Sequence, residues 1–197
     1  MDCVAGMREY PDKYFDLAIV DPPYGLERFK ANDGGNSKKI TTFGDKDKNW
    51  NNIKPTAEYW KELFRVSKNQ IVWGGNNFEL PTSEYFIVWD KGQMMPSFAR
   101  CEMAWTNCKV PAKIYAKRSQ DLNRIHPTQK PIALYDWLLM NYAKEGNLIL
   151  DTHLGSGSSR IAAYRNGFDF VGFELDKDYY EAQEKRFKTE LMQPRLF

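Results

Sequence analysis

Leu148-Ile149-Leu150-Asp151-Thr152-His153-Leu154-Gly155-Ser156-Gly157-Ser158-Ser159 is the stretch on which the fold turns. Three aliphatic residues run into an acid, then a Gly-Ser-Gly turn, then two serines that open a helix. The reading is strand, turn, helix. Glycines in such a turn let a ligand approach the backbone closely and let helix and strand pack tightly. Working outward, Pro131 to Ala143 carries a helical pattern and Asn147 to Leu150 a strand. Ser158 to Asn166 reads as a helix, Asp169 to Glu174 as a strand and Asp178 to Thr189 as an amphipathic helix. That βαβα alternation predicts a parallel sheet with crossover helices. Glu174 stands 17 residues past Gly157, at the end of the next strand. An acid there typically binds two ribose hydroxyls of a nucleoside cofactor. No Gly-Lys-Ser/Thr follows, so this is not a phosphate-cradling P-loop. The third glycine site of a dinucleotide loop is Arg160, so a nucleoside without a pyrophosphate fits better.

In the first half, Phe15-Asp16-Leu17-Ala18-Ile19-Val20 reads as a buried strand ending in Asp21-Pro22-Pro23-Tyr24. Ligands of open α/β sheets bind at that edge. Two prolines fix φ and remove two N–H donors, which makes the turn stiff. The aspartate and the nearby carbonyls form an acceptor-only surface suited to an amino group, and the tyrosine offers a face for a planar base. An ordinary strand-ending turn also favours Asp and Pro. Further elements are a short helix from Val4 to Tyr10 and a helix opened by Pro55-Thr56-Ala57-Glu58. Strands are expected at Gln70 to Trp73, Tyr85 to Trp89 and Glu102 to Thr106.

The 197 residues suffice for one domain with a proper core, and 42% hydrophobic with 15% aromatic content is globular. No run approaches a membrane span and the N-terminus lacks a signal-peptide core, so the expectation is a cytoplasmic protein without a membrane partner. Cys3, Cys101 and Cys108 lack zinc-site spacing and read as free thiols; no metal cluster is visible in the sequence. Net charge is only +2, but Lys109, Lys113, Lys117, Arg118, Arg124 and Lys130 against Asp121 make a local +5 suited to a phosphate backbone. Arg28 to Trp50 reads as a long polar loop, which in a compact domain is usually functional or disordered.

Three segments together resemble the S-adenosylmethionine-dependent DNA amino-methyltransferases. They are Asp21-Pro22-Pro23-Tyr24, then His126-Pro127-Thr128-Gln129-Lys130-Pro131, then Asp151 to Gly157 with Glu174. The order, catalytic motif first and cofactor motif last, is that of the permuted β group. The resemblance covers nearly the whole chain and is weaker over about 25–120. It implies an α/β, single-domain Rossmann-like methyltransferase fold with a mostly parallel twisted sheet, helices on both faces and a circularly permuted motif order. Residues 1–197 then form one catalytic domain with variable DNA-recognition insertions at about 26–54 and 92–124. Two departures stand out. Thr152-His153 replace the usual Pro-Phe, and Ser158-Ser159 the frequent Thr-Thr. His153 and His126 read as structural rather than as bases.

The implied reaction moves a sulfonium methyl to an exocyclic amine of a base flipped out of double-stranded DNA. Asp21 and the Pro22 carbonyl accept the amine's N–H groups, Pro23 stiffens the turn and Tyr24 stacks on the base. Leu154, Gly155, Ser156 and Gly157 line S-adenosylmethionine, Asp151 sits near its methionine amine and Glu174 holds its ribose. Thr128, Lys130 and Pro131 resemble positions near the cofactor, and Asp2 approaches its adenine. Aspartate in the first motif position leans to adenine N6. The alternatives are cytosine N4, then RNA methylation or a non-catalytic binding module. C5-methylation is disfavoured because no cysteine follows a proline. The recognition regions are small, which predicts a short DNA site or a homodimer that completes the grip. Asn49-Trp50-Asn51-Asn52 is a candidate base contact. A cognate endonuclease, as in restriction-modification, is the further partner the resemblance allows.

Overall fold

Phe15–Val20 (β1) is apolar at every position but Asp16. Such continuous runs suit a strand covered on both faces. Its side chains alternate as a pleat requires. Leu17 and Ile19 enter one core with Ile71, Trp73 and Ile149. Ala18 and Val20 enter a second core with Val72 and Leu150. The partners come from Ser67–Trp73 (β2) and, later in the chain, Leu148–Asp151 (β6). The computed structural model describes residues 1–25, 53–92, 99–118 and 124–193. Most of the 26–54 stretch, with Asn49-Trp50-Asn51-Asn52, therefore lies outside the described residues.

Phe86–Asp90 (β3), Cys101–Thr106 (β4), Lys113–Ala116 (β5) and Asp169–Gly172 (β7) complete a seven-stranded sheet of order β5-β3-β4-β2-β1-β6-β7. The run β2-β1-β6-β7 is parallel throughout. β4 is antiparallel to both β2 and β3, and β5 is parallel to β3. The sheet is thus mixed but mostly parallel. Helices cover both faces. Ile132–Tyr142 (α3) and Ser158–Arg165 (α4) bury Leu134, Leu138, Leu139, Ala162 and Ala163 in the first core. Cys3–Arg8 (α1) and Ala57–Val66 (α2) bury Met7, Tyr59, Leu63 and Val66 in the second. Each such aliphatic side chain contributes about 1.5–3 kcal/mol on burial. Lys177–Leu191 (α5) packs on α4, with Phe187 edge-on to Tyr164.

Local signals set the helix starts. Thr56 Oγ1 accepts from the Tyr59 N–H at 3.3 Å, and Asp176 Oδ1 accepts from the Asp178 and Tyr179 N–H groups at 2.9 and 3.1 Å. Asp2 Oδ1 accepts from the Ala5 N–H at 2.9 Å. These bonds satisfy N–H groups the first turn leaves open. No helix of the described residues is long and apolar enough to cross a membrane.

β5 has no counterpart in the sequence reading, and with β4 it puts sheet structure inside 92–124. Its burial alternates between half-buried and exposed. Backbone pairing to β3, Tyr115 against Trp137 at 5.1 Å between centroids, and Lys113 reaching α3 hold it. The basic stretch does not form one surface either. Lys130 is 4% exposed, and Lys113 donates to Asn141 Oδ1 at 2.5 Å. Neither is presented as a phosphate contact.

Candidate active site

Because β1, β6 and β7 are parallel neighbours, their C-terminal ends open on one edge. Asp21, the Thr152–Gly157 turn and Glu174 leave the sheet there. A cavity of about 490 Å³ lies at this edge. Its walls include Asp21, Pro23, Thr128, Lys130, Leu154, Gly155, Ser156 and Glu174, eight of the predicted site residues, together with Asp2. Pro22, Tyr24, Pro131, Asp151 and Gly157 are not in the wall.

Each of those five has a visible task. The Asp151 carboxylate turns inward: Oδ2 accepts from Ser159 Oγ at 2.6 Å and Oδ1 from the His153 N–H at 3.0 Å. Burial pushes its pKa up to about 6, with those two hydrogen bonds opposing. In this structure the Asp151 carboxylate is thus committed to the start of α4 and to the turn that follows β6. Gly157 has φ +70° and precedes α4; a Cβ there would stand 3.0 Å from Gln183 Oε1. Pro131 occupies the N-cap of α3. Pro22 is buried in the turn after β1, with φ fixed by its ring. Tyr24 lies over Gly74, where a Cβ would come within 2.3 Å of the ring, and is edge-on to Phe78 at 6.0 Å.

The Asp21 carboxylate is held from both sides. Tyr24 Oη donates to Oδ1 at 2.7 Å, and Lys130 Nζ forms an ion pair with Oδ2. Lys130 Nζ is also 3.3 Å from Glu102 Oε2 and 5.3 Å from the Trp73 ring centroid. Lys91 pairs with the other Glu102 oxygen at 2.5 Å. Charges thus alternate from Lys91 through Glu102 and Lys130 to Asp21. Burial alone would lower the Lys130 pKa, but Asp21 and Glu102 outweigh it and raise it. Burial would raise that of Glu102, but Lys130 and Lys91 hold it down. Burial, then Asp21 and Glu102, push the Tyr24 phenol up, so it stays a donor. The resemblance assigned Lys130 to the cofactor's vicinity; here it is bonded to the first residue of the catalytic motif. Glu102 went unread, although a carboxylate between Cys101 and Met103 in an apolar strand is a signal, since a buried acid is rare unless paired.

At the opposite end Glu174 Oε2 accepts from the Gly155 N–H at 2.8 Å and Oε1 from the Asp176 N–H at 2.9 Å. Glu174 therefore shapes the glycine turn as well as facing the cavity. Gly155 has φ +49° and lies against His126, whose ring is 4.3 Å from that of Tyr179. His126 Nδ1 also meets Thr128 Oγ1 at 3.2 Å. These contacts fix the 126–130 loop over the turn, and His126 also lines the cavity. Leu154, Phe173 and Leu175 give the cavity an apolar wall beside the carboxylates of Asp2, Glu174 and Asp176. The apolar wall suits a base and the carboxylate acceptors suit ribose hydroxyls, while the Lys130 cation is committed to Asp21 and Glu102. The donor set thus fits S-adenosylmethionine, and the volume lies in the usual range for small ligands.

The N6/N4 DNA methylase family model matches residues 75–185, which include Lys130, the glycine turn and Glu174 but not Asp21 to Tyr24. The protein described as "Putative methylase YubD" of Escherichia coli (strain K12) is 26% identical over 94% of this chain and 87% of its own. The fold is similar to that of the PvuII DNA methyltransferase, described as cytosine-N4-specific: TM-score 0.66, 15% identity, 95% of this chain and 84% of the other covered. It is also similar to M1.HpyAVI in complex with S-adenosylmethionine: TM-score 0.60, 19% identity, 94% and 96% covered.

Proposed function

The chain belongs to the N6/N4 DNA methylases, and from that membership we propose that it methylates the exocyclic N6 amine of adenine in double-stranded DNA. The observation that carries this reading is that Asp21 and Glu174 line one cavity. An amine acceptor and a nucleoside-binding acid then share the space across which a methyl group must pass. When bound, S-adenosylmethionine supplies an electrophilic methyl on a sulfonium; Glu174, Gly155, Ser156 and Leu154 are the residues that would hold it.

An exocyclic amine is a weak nucleophile because its lone pair is delocalised into the ring. Asp21 Oδ1 and the Pro22 carbonyl accept its two N–H groups and favour a more tetrahedral nitrogen aimed into the cavity. Lys130 and Tyr24 hold the carboxylate in one orientation, so little reorganisation is needed as positive charge develops on nitrogen. Pro23 stiffens the turn. Tyr24 gives its ring edge to Phe78 and serves both as a wall for a flipped base and as the Asp21 donor. The stretches at about 26–54 and 92–124, with the bases among Lys109, Lys117, Arg118 and Arg124, read the DNA. The enzyme is cytoplasmic, with a short recognition site or a homodimer to complete the grip, and a cognate endonuclease as the natural companion.

Methylation of cytosine N4 is the second reading, favoured by the likeness to a cytosine-N4-specific fold. The test is incubation of unmethylated DNA with labelled S-adenosylmethionine, digestion to nucleosides and mass spectrometry. N6-methyladenine is the expected product. N4-methylcytosine would transfer the same mechanism to the other base. Cofactor bound with no base labelled would overturn the DNA-methylation reading in favour of a binding module or an RNA substrate.

A further inference from the structure

Thr152-His153, the pair that departs from the family pattern, sits at the end of a buried hydrogen-bonded chain. Tyr59 Oη is 2.7 Å from Thr152 Oγ1, which is 2.9 Å from His153 Nδ1. Thr152 and His153 both line the cavity. Counting protons gives the chain a direction. Tyr59 is 2% exposed, and among the described residues its hydroxyl meets only Thr152. A buried phenol that donates to nothing loses a hydrogen bond without replacing it. Tyr59 therefore donates to Thr152. Thr152 then gives its single proton to His153 Nδ1, the arrangement in which every hydroxyl proton of the chain has an acceptor. A neutral imidazole that accepts at Nδ1 carries its proton on Nε2. Burial keeps the ring neutral, pushing its pKa down to about 4 against the pull of Asp21 and Asp2. No described group of the protein accepts from Nε2.

We propose that His153 is a cofactor-binding residue: its Nε2–H donates to an oxygen of S-adenosylmethionine. Tyr59 and Thr152 are positioning residues that fix the tautomer. The inference rests on the cavity taking that cofactor. A phenylalanine at this position offers only packing, so the departure adds one directed donor. The acceptor is a ribose oxygen or the carboxylate of the amino-acid portion.

The chain has two histidines, so their nitrogen-15 signals separate in one spectrum, with His153→Phe as the assignment control. The expected spectrum has His153 protonated at Nε2, bare at Nδ1, and neutral from about pH 5 to 8, as its burial requires. Titration with S-adenosylhomocysteine shifts the Nε2–H proton. By calorimetry, His153→Phe weakens that ligand about tenfold, the loss of roughly one hydrogen bond. His153→Gln, which keeps an N–H donor, recovers part of it, with thermal midpoints reported for both. Thr152→Val frees the tautomer without touching the ring. 5′-Methylthioadenosine, which lacks the carboxylate, assigns the acceptor: an equal shift places it on the ribose, a shift with S-adenosylhomocysteine alone on the carboxylate. A proton on Nδ1 overturns the proposal. So does an unmoved Nε2–H, or an unchanged affinity in folded His153→Phe, while wild type binds. If wild type binds neither ligand, the cofactor reading itself fails.

Discussion

Asp151 and His153 oppose each other in pH, and separating them is a sharp test of the site. Asp151 is buried, His153 is half-buried in the cavity wall, and the His153 backbone N–H donates to the Asp151 carboxylate. Burial pushes the Asp151 pKa up to about 6 in the folded state, against 3.8 for the free carboxyl group. Between those values the folded state holds a proton the unfolded chain has released. Stability therefore falls as pH rises through the window, by about 3 kcal/mol at 1.36 kcal/mol per unit. Desolvation pushes the His153 pKa down to about 4 in the folded state, against 6.5 for the free imidazole. Between those values the unfolded chain holds the extra proton, so stability rises with pH, again by about 3 kcal/mol. The two slopes nearly cancel in the wild type. Asp151→Asn removes the falling slope. Relative to wild type it should gain about 3 kcal/mol as pH goes from 4 to 6. His153→Phe removes the rising slope and should lose a similar amount relative to wild type from pH 4 to 6.5. Urea unfolding at half-unit intervals measures both differences, and referring each variant to wild type cancels the surface carboxylates. Parallel curves for all three proteins would refute the burial argument. A slope of the wrong sign in one variant would refute the assignment of that group.

Lys130→Met leaves Asp21 facing Glu102 without the cation between them. Breaking a buried pair by removing one partner costs about 3–5 kcal/mol, which for this length lowers the thermal midpoint by roughly 6–20 °C. Lys130→Met with Glu102→Gln should recover part of it, and calorimetry showing a loss below about 1 kcal/mol would mean that the buried Lys130 does not hold the two half-buried carboxylates together. Asp21→Ala should abolish methyl transfer while leaving cofactor affinity nearly intact; lost binding in a folded protein would contradict the division of roles. Glu174→Ala should weaken cofactor binding, and Glu174→Gln should weaken it less because the amide oxygen can still accept from Gly155 N–H. Equal dissociation constants for both variants and wild type would remove Glu174 from the site.

The parallel half of the sheet was legible because its strands are buried on both faces and its turns carry chemistry. Phe15–Val20 and Leu148–Asp151 are apolar runs that end in Asp21 and in the glycine turn, so pattern and motif agree. Lys113–Ala116 was not legible, since an edge strand held by backbone pairing needs no hydrophobic run. The site divides along a similar line. Asp21, Gly155 and Glu174 face the cavity because their spacing from strand ends dictates it. What spacing cannot reveal is which way a side chain turns once it is there. Asp151 turns to Ser159, Lys130 crosses to Asp21, and Glu102 arrives from a strand far away in sequence. Each of these choices follows from the rule that a buried charge or polar group must find a partner. That partner is supplied by tertiary contact, so a linear motif gives the position of such a residue but not its bond.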